Sequence, residues 1–425
     1  MNKFNELSIE ELASVLGLTI KKDDDNKIIT FLCLLSAYTE GSQFNISFNA
    51  PSSAGKSYVA MEIAKLFPKE DVQEYAYASP ASFFHDYVPV EGEEGVFLND
   101  LSRKIILFLD MPDQTLLTRI RPVLSHDKKV IETKITDRTE RQGMRTKRIL
   151  IKGYPSVVFC SAGLRMDEQE STRLFLLSPE ISQEKIVAGI DQTISKEADN
   201  DAFHAWLEAS PERKELMERI TEIKNAEINE IKLENQNIIR DFFMQKKGIL
   251  KPRHMRDVKR FISLVKAHAL LNIFSRKVEG KTLYATDKDA ESIFPLWTRL
   301  SKSQELNLPP YVYELYSGVF EPAYKEKNSD ANALMDGEVQ FGLTRNEVLQ
   351  KHFRVYGRHL SPVVLAQQIL PILEACGLIT QEPDKDNLRQ KLIFINTNPV
   401  EHITEGVGVE SEDAEISVME EVFPF

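Results

Sequence analysis

Apolar residues recur along this chain in two rhythms. Over residues 45–185, short apolar runs alternate with polar or helical pieces. Asn45–Ala50 (NISFNA) alternates like a strand and runs into a turn, Tyr58–Phe67 (YVAMEIAKLF) has helical spacing, and Lys104–Asp110 (KIILFLD) and Ser156–Ala162 (SVVFCSA) are almost unbroken apolar runs. Strands covered on both faces need such runs, so this part predicts a three-layer α/β core around a parallel sheet. Residues 1–44 predict helices: Ser8 and Glu11 have capping-box spacing, and Asp23–Asp25 lead into the apolar stretch Ile28–Tyr38. From 186 to 305 the pattern turns helical. The run from Glu212 to Gln245 is rich in Glu, Lys, Ile and Leu and holds neither Gly nor Pro, and a further helix is expected after Pro252.

Residues 306–400 predict a smaller unit. Thr344 and Glu347 open one helix as a capping box; Ser361, Pro362 and Gly377 stand where the N-cap, first position and end of a second belong. LIT, EPDKDN and LRQKLIFIN then predict a hairpin. Helix, helix and hairpin is the order of a winged-helix domain. The expected division is therefore 1–44 N-terminal helices, 45–185 core, 186–305 helical lid, 306–400 winged helix and 401–425 an acidic disordered tail.

Composition changes this picture in three places. The net charge is −12, but residues 401–425 hold eight acids and no Lys or Arg, which leaves the body at −4. A body so weakly charged accommodates local basic patches, so nucleic acid remains a candidate partner. Ile28–Tyr38 is the best apolar stretch and is too short to span a bilayer, and MNKFNELSIEEL carries acids where a signal peptide needs a basic and then an apolar run. A cytoplasmic protein with no membrane partner is expected. Cys33, Cys160 and Cys376 are far apart, which excludes a zinc cluster of usual spacing and a disulfide framework.

The chemistry concentrates at Ala50–Ser57 (APSSAGKS), between the first strong strand and a helix. This fits the relaxed P-loop pattern, with Ala50 where Gly is commoner. In such a turn, Pro51, Ser52, Ser53 and Ala54 aim backbone N–H groups at phosphate oxygens and Gly55 lets the backbone approach. Lys56 reaches the β and γ phosphates, and Ser57 offers a hydroxyl to Mg²⁺. Asp110, at the end of a buried strand, is the expected second contact to Mg²⁺. Met111 follows it where hydrolytic motors carry Glu, and a thioether takes no proton from water. Asp113 is the candidate replacement; slow or absent hydrolysis is the alternative.

In this order, the residues from 45 to 272 resemble AAA+ ATPases with a pre-sensor hairpin. The similarity is greatest to the minichromosome maintenance helicases and weaker to superfamily III viral helicases. A helix (LLTRIRPVLS) follows the Asp110 strand; then KVIETKITDRTERQGMRTKRILIKG reads as strand, polar turn around Gly143, and strand. The resemblance implies that this hairpin touches DNA in the channel of a ring, with Arg138, Arg141, Arg145, Lys147 and Arg148 as the contacts. It implies that Ser161 orients water at the γ-phosphate, and that Arg173, in ESTRLFLL, is an arginine finger acting in a neighbouring subunit. It makes Arg256, with Arg253 as runner-up, the residue that reaches a γ-phosphate from the lid. His268, with no metal partners near it in sequence, reads as a packed core residue. The absence of a long N-terminal domain, of the Glu after Asp110 and of the first P-loop Gly marks a reduced relative, of the kind a virus, plasmid or other mobile element carries.

The expected function is therefore an ATP- and Mg²⁺-dependent, ring-forming DNA helicase or translocase, hexameric by resemblance, working in replication. The alternative is an ATP switch, a loader or regulatory assembly with little hydrolysis; a protein remodeller without a DNA role is a third reading. The second helix of the small unit is mostly apolar, which leaves Lys385, Arg389 and Lys391 in the wing for backbone contact. The ending Phe423, Pro424, Phe425 after acids looks like the acidic tips of bacterial single-strand DNA-binding proteins, and so suggests docking to a replication protein.

Overall fold

The computed structural model describes residues 4–51, 53–76, 87–93, 95–124, 128–137, 145–161, 173–245, 254–332, 340–384, 387 and 389–396, without the side chains of 135–137, 145, 146, 245 and 330–332. The chain opens with α1 (Ile9–Leu16) and α2 (Asp24–Ser36), then β1 (Ile46–Asn49), α3 (Lys56–Ala64), β2 (Val72–Tyr75), β3 (Val88–Pro89), β4 (Val96–Asp100), β5 (Ile105–Phe108), α4 (Gln114–Leu124), β6 (Val130–Asp137), β7 (Arg145–Lys152), β8 (Ser156–Ser161) and β9 (Phe175–Leu177). The capping box at α1 forms: the Ser8 N–H donates to Glu11 at 2.8 Å and the Glu11 N–H to Ser8 Oγ at 3.2 Å. α2 is apolar on all sides and buried from Asn26 to Ser36, as a helix inside a core must be.

Five strands make one all-parallel sheet in the order β2-β5-β8-β1-β9. Alternate residues face opposite layers. Ile105, Leu107, Val158 and Cys160 join a core with α1, α2 and α3, while Ile106, Phe108, Val157 and Phe159 join a second core under α4. There the Phe108 and Phe159 rings stack at 5.2 Å. This is the three-layer α/β arrangement expected. From β1 the chain crosses to the far edge at β2, steps back through β5 and β8, then passes to β1's other flank at β9. Connections thus diverge above the carboxyl ends of β1 and β8, where open α/β sheets place their ligand crevice. A second sheet, β3-β4-β7-β6, carries the expected hairpin, with β6 and β7 antiparallel from Val130–Lys152 to Asp137–Arg145.

The next region departs from the helical expectation. It contains α5 (Gln183–Ala198), α6 (Asn200–Ala209), α7 (Pro211–Asn225), β10 (Glu230–Leu233), α8 (Asn237–Gln245), α9 (His254–Leu271), β11 (Val278–Glu279), β12 (Thr282–Ala285) and α10 (Asp287–Glu305). The run Glu212–Gln245 is thus two helices with a strand between them. Ile231 is buried while Glu230 and Lys232 are exposed, a period of two, and β10 pairs in parallel with β12. Long-range pairing overrides the local preference of Glu, Lys and Ile for helix. Residues 1–44 and α7–α10 also share one hydrophobic core with the sheet. Buried Arg219 ties them, donating to the carbonyls of Asn5 at 2.6 Å and Leu271 at 3.2 Å.

The C-terminal unit has its own core, built on Val312, Phe320, Val348, Leu365, Leu373, Ile379 and Ile393. It comprises α11 (Pro310–Leu315) and α12 (Glu321–Asn332) joined by a π-helical turn, α13 (Arg345–Tyr356), then α14 (Pro362–Val364) and α15 (Leu370–Ala375), again with a π-helical turn between them, and the antiparallel pair β13 (Ile379–Pro383) and β14 (Lys391–Ile395). The Thr344–Glu347 capping box forms, and an isolated antiparallel bridge links Leu343 to Ile393. Lys385 and the tail with Phe423, Pro424 and Phe425 lie outside the described residues. No helix among the described residues is long and apolar enough to cross a membrane.

Candidate functional site

β1 ends at buried Asn49 and α3 begins at Lys56; of the residues between them, Ser52 lies outside the described residues. The turn needs left-handed backbone: Ser53 has φ +65° and Gly55, the N-cap of α3, has φ +90°. Glycine takes that conformation without a Cβ penalty. The first turn of α3 therefore opens at the crevice with backbone donors that the helix cannot use itself. Lys56 folds back on its own loop, donating to the carbonyls of Ala50 at 2.7 Å and Pro51 at 2.8 Å. Burial pulls its pKa down, partly offset by Cys160 and Asp110 nearby.

Cys160, on β8, marks the meeting point of these groups. Burial pushes its thiol up to about 11, against the effects of a hydrogen bond with Ser57 and the charge of Lys56; Asp110 adds to the rise. Lys56, Ser57 and Asp110 are thus neighbours at the carboxyl ends of β1, β5 and β8. Ser161, also buried, ends β8 directly beside Asn49. Asp110 Oδ1 accepts the Met111 N–H at 2.8 Å on an exposed turn. One hydroxyl and one carboxylate beside a phosphate cradle fit Mg²⁺, which takes its remaining ligands from phosphate and water. Among the described residues no group of three or more His, Cys, Asp or Glu forms a protein-only metal cage.

The two residues in question after Asp110 are both used for structure. Met111 packs against the core under α4. Asp113 is the cap of α4: its Oδ1 accepts the Thr115 N–H at 2.7 Å, and that bond holds its carboxyl below the usual range.

A cavity of about 700 Å³ opens beside the P-loop turn, lined by Ser53, Ala54, Gly55, Tyr58 and Val59, by Ile20 and Lys21 from the α1–α2 connection, and by Ile186, Gly189, Ile190 and Ile194 of α5. The Tyr58 hydroxyl donates to the Thr19 carbonyl at 2.8 Å and fixes the two walls together. No residue of α5 is buried, and Ile186, Ile190 and Ile194 are exposed along it. An apolar wall beside a phosphate cradle suits a base and sugar. The pattern of the chain gave no sign of the lining that α5 supplies, since α5 lies more than a hundred residues from the P-loop.

Arg173 and Arg256 lie elsewhere. Arg173 is half-buried and precedes β9, whose first residue, Phe175, pairs with Ile46 at the amino end of β1. The length of β1, roughly 13 Å at about 3.3 Å per residue, separates that end from the P-loop of the same chain. Arg256 is exposed in the first turns of α9; one turn on, the Arg260 guanidinium packs 5.6 Å from the Phe175 ring. Arg173 thus stands at the amino end of β9, and Arg256 lies on α9 one turn before the residue that contacts that strand. Arg253 lies outside the described residues.

On the hairpin, Arg138 and Arg141 lie outside the described residues, as does the Arg145 side chain. Lys147 sits 5.2 Å over the Phe97 ring, and Arg148 is paired with Glu132 at 2.9 and 3.1 Å. His268 is a core residue, as expected: Nδ1 lies 2.8 Å from Asp289, and both are buried.

No protein-family model matches this sequence, and no curated protein matches it.

Proposed function

We propose that this chain is an AAA+ ATPase that assembles through its nucleotide site and acts as a DNA helicase or translocase. The observation that carries this reading is the cluster of Lys56, Ser57 and Asp110 around Cys160 at the switch point of a parallel sheet, with a cavity for base and sugar beside it. ATP fits that donor set. Lys56 would exchange the Ala50 and Pro51 carbonyls for phosphate oxygens, and Ser57 with Asp110 would hold Mg²⁺. Bound with Mg²⁺, ATP supplies the phosphoanhydride that is cleaved.

Arg173 supports an assembly. It stands too far from its own P-loop to meet a phosphate there, so its role as a finger is open only in a neighbour's site. Arg256, exposed on α9 one turn before Arg260, would be the second arginine open to such an interface. The β6–β7 hairpin would follow one strand of DNA. The Arg148–Glu132 pair is solvent-exposed and screened, so exchanging Glu132 for a phosphate costs little. The C-terminal unit, with α13, the α14–α15 segment and the β13–β14 pair, is read as a winged helix.

The ATP-switch reading is kept because of one observation: Met111 is turned into the core and Asp113 is bound to α4, so neither is free to take a proton from water. The experiment compares ATP binding and turnover, with and without single-stranded DNA, and strand separation on a forked duplex. DNA-stimulated turnover with unwinding is the expected result. ATP-dependent assembly on DNA with negligible turnover would replace the motor by the switch, and failure to bind ATP would end both.

A further inference from the structure

We infer that the C-terminal unit reads the nucleotide directly, through Arg358. This rests on the nucleotide reading of the cavity. The cavity is not closed by the core alone: beside Ser53–Gly55 and α5, its lining includes Arg358, from the connection between α13 and α14. Arg358 is held firmly. It follows Gly357, which ends α13 in a left-handed conformation, and its carbonyl accepts from His352 Nδ1 at 3.0 Å. Its guanidinium lies 6.0 Å from the Tyr356 ring.

The charge itself has no counterpart. Arg358 forms no ion pair with a carboxylate among the described residues, and its Nε is out of solvent without a hydrogen-bond partner. A guanidinium nitrogen left in that state is costly unless an acceptor arrives. Of the other cations of the cavity, Lys185 is bound to Asp23, Lys21 Nζ donates to the Gly17 carbonyl at 2.8 Å, and Lys196 is half-buried on α5. Arg358 is therefore a built cation in a cavity suited to a nucleoside triphosphate, and its planar fork suits phosphate.

The connection to the core makes the contact consequential. The strap Ser178–Ser182 begins at the P-loop strand, where Ser178 Oγ donates to the Asn49 carbonyl at 2.7 Å. Along it, Glu180 and Ile181 line the cavity, and Ile181 packs against the core of the C-terminal unit. A nucleotide held by Arg358 on one side and by the P-loop on the other would fasten the C-terminal unit to the ATPase core, and release would loosen it. The C-terminal unit then responds to nucleotide occupancy within its own subunit, not only to nucleic acid.

The test uses the full chain, with Lys56→Ala, Arg358→Ala and Arg358→Lys, titrated with a fluorescent ATP analogue. Hydrogen exchange over residues 352–360 is followed with and without ATP. Arg358→Ala should weaken binding roughly 10-fold or more, as loss of a charged hydrogen bond does. Arg358→Lys, which keeps the charge without the fork, should recover part of it. ATP should slow exchange over 352–360 in the wild type and not in Arg358→Ala. If Lys56→Ala loses ATP while Arg358→Ala binds as the wild type does, the inference falls and the nucleotide site stands. Unchanged exchange in the wild type also overturns it, even if the alanine variant fails to fold. A wild type that ignores ATP removes both.

Discussion

Single residues at the P-loop divide into those that hold the loop and those that wait for a ligand. Lys56 belongs to the second group, since among the described residues its ammonium bonds only to the Ala50 and Pro51 carbonyls of its own turn. Lys56→Ala should leave the melting temperature within a few degrees and abolish detectable ATP binding by calorimetry. Gly55 belongs to the first: at φ +90° an alanine is strained, and Gly55→Ala should cost about 1–3 kcal/mol in denaturant unfolding. Asp113 is now better explained as a cap than as a base. Asp113→Asn preserves the cap and should retain both stability and turnover, whereas Asp113→Ala should lose about 1 kcal/mol; a turnover-dead Asn variant would return Asp113 to the chemistry. The loop was readable from the sequence because its chemistry is local, a glycine, a lysine and a serine in succession. Ile186, Gly189 and Arg358 were not readable, because folding alone brings them to the turn.

Elements were readable where their boundary chemistry is local. The capping boxes at Ser8 and Thr344 form as written, and the apolar runs of β5 and β8 became central strands. β10 was hidden because its partner, β12, lies about fifty residues downstream, and helix-favouring residues surround it. The start of α10 shows how such distant parts are locked. Asp289 completes the cap at Thr286 and also binds His268 and Arg276, all within the core. Burial alone would raise its pKa, but His268, Arg276 and the Thr286 N–H together hold it down at about 2. In the unfolded chain an aspartate titrates near 3.9. Its contribution, about 2 kcal/mol, is therefore complete above pH ~4 and is lost as pH falls towards ~2. Thermal unfolding between pH 5 and 2.5 should show that loss, and Asp289→Asn should lower stability at pH 7 and flatten the slope.

At the scale of the whole molecule, the separation of Arg173 from the P-loop of its own chain makes a distinctive prediction. Arg173→Ala should bind ATP normally and turn it over at least a hundredfold more slowly. Lys56→Ala should bind none. Mixed together, the two variants should regain part of the activity, because a Lys56→Ala subunit still offers its arginine to the intact P-loop of its neighbour. Mixtures no more active than either variant would argue against a shared site. The sheet order, the cavity and the position of Arg173 at the amino end of β9 are properties of the folded chain; the sequence indicated the parts but not their arrangement.

α2 carries a further consequence, for synthesis rather than for catalysis. It is buried on every side from Asn26 to Ser36 and packs against α9, which ends at Leu271, more than two hundred residues downstream. At about 5–20 residues per second, the nascent chain holds that helix without its mate for roughly ten seconds to a minute. Chaperone demand during translation should therefore centre on α2, and polar substitutions in it that ease early solubility should do so at the expense of the finished fold.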